Sequence, residues 1–217
     1  MKVFNKIIWL TFDDIMDWDR IFLYAGDIPE QKEYDIDGIV GLSIKAANKR
    51  TIRHNICMPY PLPDNSVDAY QAEDVLEHIE YDILPDAINE IYRVLKKGAY
   101  FRLSVPDYGC DLLRDRSVKD ENGNIIFDAG GGRRSRYKNG KVTGGGHVWF
   151  PTYEKVKALI EKTNFKEYEF YHYYDENGNS VTKKIDYTKG YVKRTPDHDA
   201  RVQDPYRAMS IVVDLFK

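Results

Sequence analysis

The 217-residue chain sets 32 Lys and Arg against 35 Asp and Glu, a net charge of −3, and this near balance excludes a whole-surface attraction to nucleic acid or anionic membrane. Its length suits one domain with a sizeable insertion, and two cysteines, Cys57 and Cys110, form neither a disulfide framework nor a metal-ligand spacing. Residues 1–19 hold no long apolar run and turn acidic from Asp13, so a cytoplasmic protein without a signal peptide or membrane insertion is expected.

In chain order, Lys6–Leu10 is a short apolar run and Asp13–Asp19 a helical turn or loop. Arg20–Tyr24 is the first buried strand, ended by Ala25-Gly26-Asp27, with Pro29 preventing a helix directly after it. Gly38–Ser43 and Thr51–Ile56 are the next two strands. Pro59, Pro61 and Pro63 make an extended connection, and Asp64-Asn65-Ser66 a turn. Val67–Gln71 is a fourth strand. Leu84, Ala87, Ile88, Ile91 and Leu95 recur at helical spacing, with Lys96-Lys97 near the end and Gly98 as the stop. Tyr100–Val105 is a strand between two layers. Strands separated by helix-length segments predict parallel pairing with right-handed crossovers.

Residues 108–148 differ in composition. They hold Asn122-Gly123-Asn124, Gly130-Gly131-Gly132, Arg133-Arg134, Asn139-Gly140 and Gly144-Gly145-Gly146, the pattern of a long lid, binding loop or disordered segment. Thr152 then caps a helix facing inward with Val156, Leu159 and Ile160. Tyr168–Tyr174 is an aromatic strand closed by a turn at Asp175–Gly178, and Met209–Phe216 is a last apolar strand at an antiparallel edge.

The block Leu62-Pro63-Asp64-Asn65-Ser66-Val67-Asp68, with Val75-Leu76-Glu77-His78 and Tyr92–Gly98, resembles the class I S-adenosylmethionine (SAM)-dependent methyltransferases. Downstream, Gly146-His147, Trp149, Tyr173–Gly178, Gly190–Arg194 and Ser210–Asp214 resemble a narrower group of small methyltransferases associated with glycan and polysaccharide synthesis. The resemblance also fits the chain being the methyltransferase domain of a larger chlorovirus glycan-building transferase. The resemblance implies an α/β, Rossmann-like fold: a mostly parallel central sheet, helices on both faces and an antiparallel C-terminal strand.

It also implies SAM as cofactor, held by Ala25, Gly26 and Asp27 at the first turn, Gly41 and Leu42 at the ribose position, Asn55 and Ile56 at the adenine, and Glu73. Two positions depart from the family. Tyr24 stands where a glycine is expected, and Gly41 where the ribose acid is expected, with Asp37 or Ser43 as nearby substitutes.

Methyl transfer needs acceptor, methyl and sulfur aligned, and a proton removed where the acceptor is a hydroxyl. Asp107 follows Pro106 at a strand tip, Asp74 lies past another, and His147 follows three glycines; these are the catalytic candidates. Asp74 also reads as a helix cap. A divalent metal shared by Asp107 and His147 is a further option, although no metal motif is present. His78, Tyr108, Arg133, Arg134 and Trp149 are the substrate candidates, and His78 reads equally as a packed helix histidine. The basic cluster reads either as a grip on an acidic or nucleotide-bearing acceptor or as a solvated loop. The expected function is O-methylation of a sugar hydroxyl, such as that of a rhamnose-type residue, with glycosyltransferases as fused or associated partners. A degenerate binding module, or methylation of a small metabolite or protein, stands as the alternative.

Overall fold

The computed structural model describes residues 9–45 and 48–217. Residues 6–8 of the first apolar run lie outside them. Thr11 caps a four-residue helix α1 (Phe12–Ile15) through a reciprocal capping box with Asp14, and Phe12 and Ile15 are buried.

Four strands follow: β1 (Phe22–Ala25), β2 (Ile39–Ser43), β3 (Thr51–Arg53) and β4 (Val67–Glu73). Helix α2 (Leu84–Val94) has Pro85 in its first turn and buries Leu84, Ala87, Ile88, Ile91 and Val94 on one stripe, as its spacing requires. It leads directly into β5 (Leu95–Pro106), longer at both ends than the alternation of Tyr100–Val105. After β5 come α3 (Asp111–Arg116), β6 (Val118–Lys119), β7 (Ile125–Phe127), β8 (Arg136–Lys138) and β9 (Lys141–Thr143). The predicted long loop is therefore a short helix and two small hairpins, β6–β7 and β8–β9. Helix α4 (Tyr153–Glu161), capped by Thr152, and strands β10 (Glu167–Tyr174), β11 (Ser180–Thr182) and β12 (Ser210–Phe216) complete the chain.

One eight-stranded sheet has the order β11-β10-β12-β5-β4-β1-β2-β3. From β5 to β3 all neighbours are parallel, while β12, β10 and β11 pair antiparallel. This is the expected Rossmann-like sheet with antiparallel strands on its C-terminal side. β12 is interior, between β5 and β10, so the edge falls to β11. The reversal of strand order lies between β1 and β4, where the two crossovers leave a crevice at the carboxyl ends.

The sheet's two faces are covered differently. Tyr70, Phe101, Leu103, Leu23 and Val40 join the main core together with the buried stripes of α2 and α4. On the other face, among the described residues, an irregular segment spanning residues 183–209 crosses the strands in place of a long helix. Arg102 on β5 donates to the carbonyls of Asp186 and Gly190, Gln71 on β4 to that of Tyr191, and Tyr100 to that of Lys189. Beneath it, Arg102 and Asp214 form a wholly buried two-bond ion pair, both contacts 2.7 Å. No helix of the described residues is long and apolar enough to cross a membrane.

Candidate active site

The carboxyl ends of β1, β2, β3 and β4 open on one cavity of about 450 Å³, within the ~300–1,000 Å³ usual for small-molecule sites. Its walls bring together Gly26 and Asp27 from β1, Leu42 and Ser43 from β2, Asn55 and Ile56 beyond β3, and Asp74, Val75, His78 and Ile79 beyond β4. A larger, polar hollow of about 740 Å³ lies between Asp17–Arg20 and Asp35–Ile39, at the amino ends of the same strands. Ligands of open α/β sheets bind at the carboxyl ends, so the smaller cavity is the site.

The cavity depends on two glycines. Gly26 has φ +101°, a conformation that side chains disfavour, and its N–H donates to the Leu42 carbonyl at 2.7 Å. Gly41 does not reach the cavity. It lies one strand residue deeper, where a Cβ would sit 2.8 Å from the Gly26 carbonyl oxygen and 2.9 Å from Thr51 Oγ1. Gly41 thus lets the first turn settle onto β2, while Ser43 reaches the cavity. Tyr24 is an interior residue of β1, not part of the turn, and Ala25 is likewise buried below it. Asn55 Oδ1 accepts the Cys57 N–H at 3.1 Å, which fixes the turn that presents Asn55 and Ile56.

Glu73 lies behind the wall. Its Oε2 accepts the Tyr34 hydroxyl at 2.5 Å and its Oε1 the Lys193 N–H at 2.7 Å. Burial, with the Asp74 charge beside it, pushes its carboxyl up to about 7. Asp74 follows with φ +57° and pairs with Arg194.

Of the catalytic candidates, Asp74 lines the cavity and His147 lies behind it, next to His78. Asp107 faces elsewhere: Oδ1 accepts the Gly109 N–H at 2.8 Å and Oδ2 the Tyr174 N–H at 2.7 Å, which joins β5 to β10. Burial pushes its carboxyl up to about 6. Both of its oxygens are committed to the backbone, which suits a positioning role better than that of a base.

His147 Nδ1 lies 2.5 Å from the Tyr108 hydroxyl, which itself donates to Asp128 Oδ2 at 2.8 Å, and Arg116 holds Asp128 through two bonds. Burial and the neighbouring His78 push the His147 imidazole down to about 3, so it is neutral near pH 7. Tyr108 and Trp149 are buried, and the Trp149 indole N–H donates to the Leu76 carbonyl at 2.8 Å; neither presents a free face to an acceptor. Arg133 and Arg134 are exposed and, with Lys45, Gly144 and Gly145, line a shallow opening of about 620 Å³ that shares Lys45 and Gly145 with the cavity.

Of the cavity-lining residues, Ile44, Lys45, His54, Val75, Ile79 and Gly145 had no assigned role in the sequence reading. Glu77 is wholly buried, its carboxyl raised well above the usual range by burial and by Asp74, and neither of its oxygens has a hydrogen-bond partner among the described residues. Its acidic neighbours in sequence were visible. Its convergence with a histidine 70 positions later was not.

Residues 38–103 match the family model of a methyltransferase domain. Among solved structures, the chain is similar to a SAM-dependent methyltransferase from Archaeoglobus fulgidus, with TM-score 0.52 and 13% identity over 95% of this chain and 90% of that one. It is also similar to a possible histamine N-methyltransferase from Thermotoga maritima, with TM-score 0.51 and 16% identity over 91% and 81% of the two chains. A third is the 1,6-didemethyltoxoflavin-N1-methyltransferase of Burkholderia thailandensis, with bound 1,6-didemethyltoxoflavin and S-adenosylhomocysteine, with TM-score 0.50 and 8% identity over 91% and 71%. No curated protein matches. Residues 38–103 thus match a methyltransferase-domain model, and the chain has the fold seen in solved SAM-dependent methyltransferases.

Proposed function

We propose that the protein transfers a methyl group from SAM to a hydroxyl of a sugar in a glycan or polysaccharide precursor. SAM lies across the strand tips, its adenine by Asn55 and Ile56, its ribose by Ser43 and its amino-acid end by Gly26 and Asp27. The observation that carries the acceptor assignment is the opening lined by Lys45, Arg133 and Arg134, which continues from the cavity and suits an extended acceptor bearing phosphate or carboxylate. A nucleotide-linked or otherwise anionic sugar fits that description.

The reaction is a displacement at a carbon already activated by the sulfonium, so the chain's part is alignment and proton removal. Asp74, paired with Arg194, and His78 flank the acceptor side of the cavity, with His147 behind them. The hydroxyl proton leaves toward this side. Asp107 acts at a distance, tying the end of β5 to the end of β10 across β12. Enzymes that build the same glycan are the natural partners of such an activity.

Radiolabelled SAM incubated with a panel of nucleotide sugars, free sugars, amines and short glycans tests the reading. Label in a sugar methyl ether, released only by ether cleavage, is expected. Label in an amine product would move the acceptor to a small metabolite. SAM binding without label in any acceptor would leave a binding module.

A further inference from the structure

Glu77, His78 and His147 converge behind the cavity wall from two places in the chain. One carboxylate oxygen and one nitrogen from each imidazole lie within 4.8 Å of one another. His147 Nε2 is 3.6 Å from Glu77 Oε1, and His78 Nε2 is 3.9 Å from the same atom. Both separations are too long for hydrogen bonds. Glu77 has no exposed surface, and neither of its oxygens has a hydrogen-bond partner among the described residues. An unpartnered buried carboxylate is costly, and native proteins retain such a group where something occupies it.

The hydrogen bonds around the two rings decide which nitrogens are free. His78 Nδ1 faces the Gly146 carbonyl oxygen at 3.2 Å, and a carbonyl only accepts, so Nδ1 carries the proton. The Tyr108 hydroxyl spends its proton on Asp128, so it accepts from His147 Nδ1, which is protonated as well. Both Nε2 atoms then carry lone pairs, and both look toward Glu77. Metal-binding histidines are held in this way, the far ring N–H tied to a carbonyl or to a polar chain that fixes the tautomer. The Tyr108–Asp128–Arg116 chain supplies that tie for His147.

We propose that Glu77, His78 and His147 bind a divalent transition-metal ion through one carboxylate oxygen and two Nε2 atoms. Two imidazoles and a carboxylate suit Zn²⁺, Co²⁺ or Mn²⁺, whereas Mg²⁺ and Ca²⁺ favour all-oxygen sites. Ligands of a tetrahedral zinc ion lie about 3.3 Å apart. Small rotations of the side chains close the present separations to that value. His78 also lines the cavity, so the ion's open coordination position would face it. On the reading of the protein as a sugar O-methyltransferase, a cation there would meet the acceptor hydroxyl and favour its alkoxide. The site itself stands independently of that reading, because ion binding is measured without turnover.

The test titrates chelator-treated full-length protein with Zn²⁺, Co²⁺ and Mg²⁺. One equivalent of Zn²⁺ and of Co²⁺ is expected, the latter with a visible absorption band, and no uptake of Mg²⁺ at the same concentrations. Glu77→Gln and His147→Ala should each weaken Co²⁺ binding at least tenfold. His78→Ala removes a ligand from the exposed side, and it carries the test if either buried variant fails to fold by circular dichroism. No stoichiometric uptake by the wild type, or an unchanged Co²⁺ spectrum and affinity in the folded variants, overturns the proposal. SAM binding by calorimetry in the same variants reports separately on the cofactor cavity.

Discussion

Arg194 Nη2 lies 2.5 Å from Asp74 Oδ2, and Arg194 Nε donates to the same oxygen at 2.9 Å. This pair ties the irregular segment covering one sheet face to the tip of β4, at the residue whose φ of +57° turns the chain into the cavity wall. Asp74 Oδ1 is buried without a hydrogen-bond partner, so the arginine alone compensates the carboxylate. Replacing Arg194 by Met should lower stability by about 1–3 kcal/mol, the cost of an uncompensated, partly buried charge. The loss should appear as a lower urea midpoint at unchanged slope, together with weaker SAM binding. Asp74→Asn in the Arg194→Met background should recover most of the stability.

The Arg102–Asp214 pair has no exposed surface and spends its remaining guanidinium bonds on the carbonyls of Asp186 and Gly190. Arg102→Met should cost about 3–5 kcal/mol, because Asp214 is left buried and alone. Lys at this position should rescue little, since it lacks the planar fork that serves both partners. Chemical denaturation of the two variants measures this; a loss below about 1 kcal/mol would mean that the segment is not held through Arg102.

Glu73 gives the fold a pH dependence of definite sign. Its folded pKa is about 7 against an ordinary 4.5, so between those values the unfolded chain releases a proton that the folded chain keeps. Its contribution is therefore largest below pH 4.5, falls as pH rises to about 7, and stays at its lowest above. The fall amounts to roughly 3 kcal/mol at most. In Glu73→Gln the stability difference between pH 5 and pH 8 should shrink by that order, read from denaturation at both pH values. An unchanged difference would remove Glu73 as its source.

The face-covering segment and the Glu77 cluster show where sequence reasoning stopped. The course from β4 through α2 to β5 was legible because Leu84, Ala87, Ile88 and Ile91 keep a helical period, and all four are buried. The cavity residues Gly26, Asn55, Ile56 and Asp74 were legible because motif and strand tips coincide. Segment 183–209 was not, since it is held mostly through its own backbone carbonyls, which any residue offers. Helices on both faces were expected; among the described residues, the two long helices share one face. Asp107 shows the reverse case. A carboxylate at a strand tip looks catalytic in sequence, yet two backbone amides occupy it. Trp149 and Tyr108 read as substrate contacts in sequence, yet both are buried and bonded inward.

The acceptor reading places Arg133 and Arg134 outside the cofactor's reach. Replacing both by Ala should raise KM for an anionic acceptor about tenfold or more while the Kd for SAM stays unchanged, and the wild-type KM should rise with salt as surface charge is screened. Steady-state kinetics at two ionic strengths checks it. Equal KM in wild type and variant would assign the two arginines to the solvent.

SAM binding in the cavity at the tips of β1 to β4 depends on the close approach of Gly41 to the Gly26 carbonyl. Calorimetric titration of wild type and Gly41→Ala with SAM tests it most directly. One equivalent bound by the wild type, with at least tenfold weaker binding in a Gly41→Ala variant that still folds, is the predicted result: the added Cβ would meet the Gly26 oxygen at 2.8 Å and displace the turn. No heat of binding from the wild type at millimolar SAM, or equal affinity in the two proteins, would contradict it.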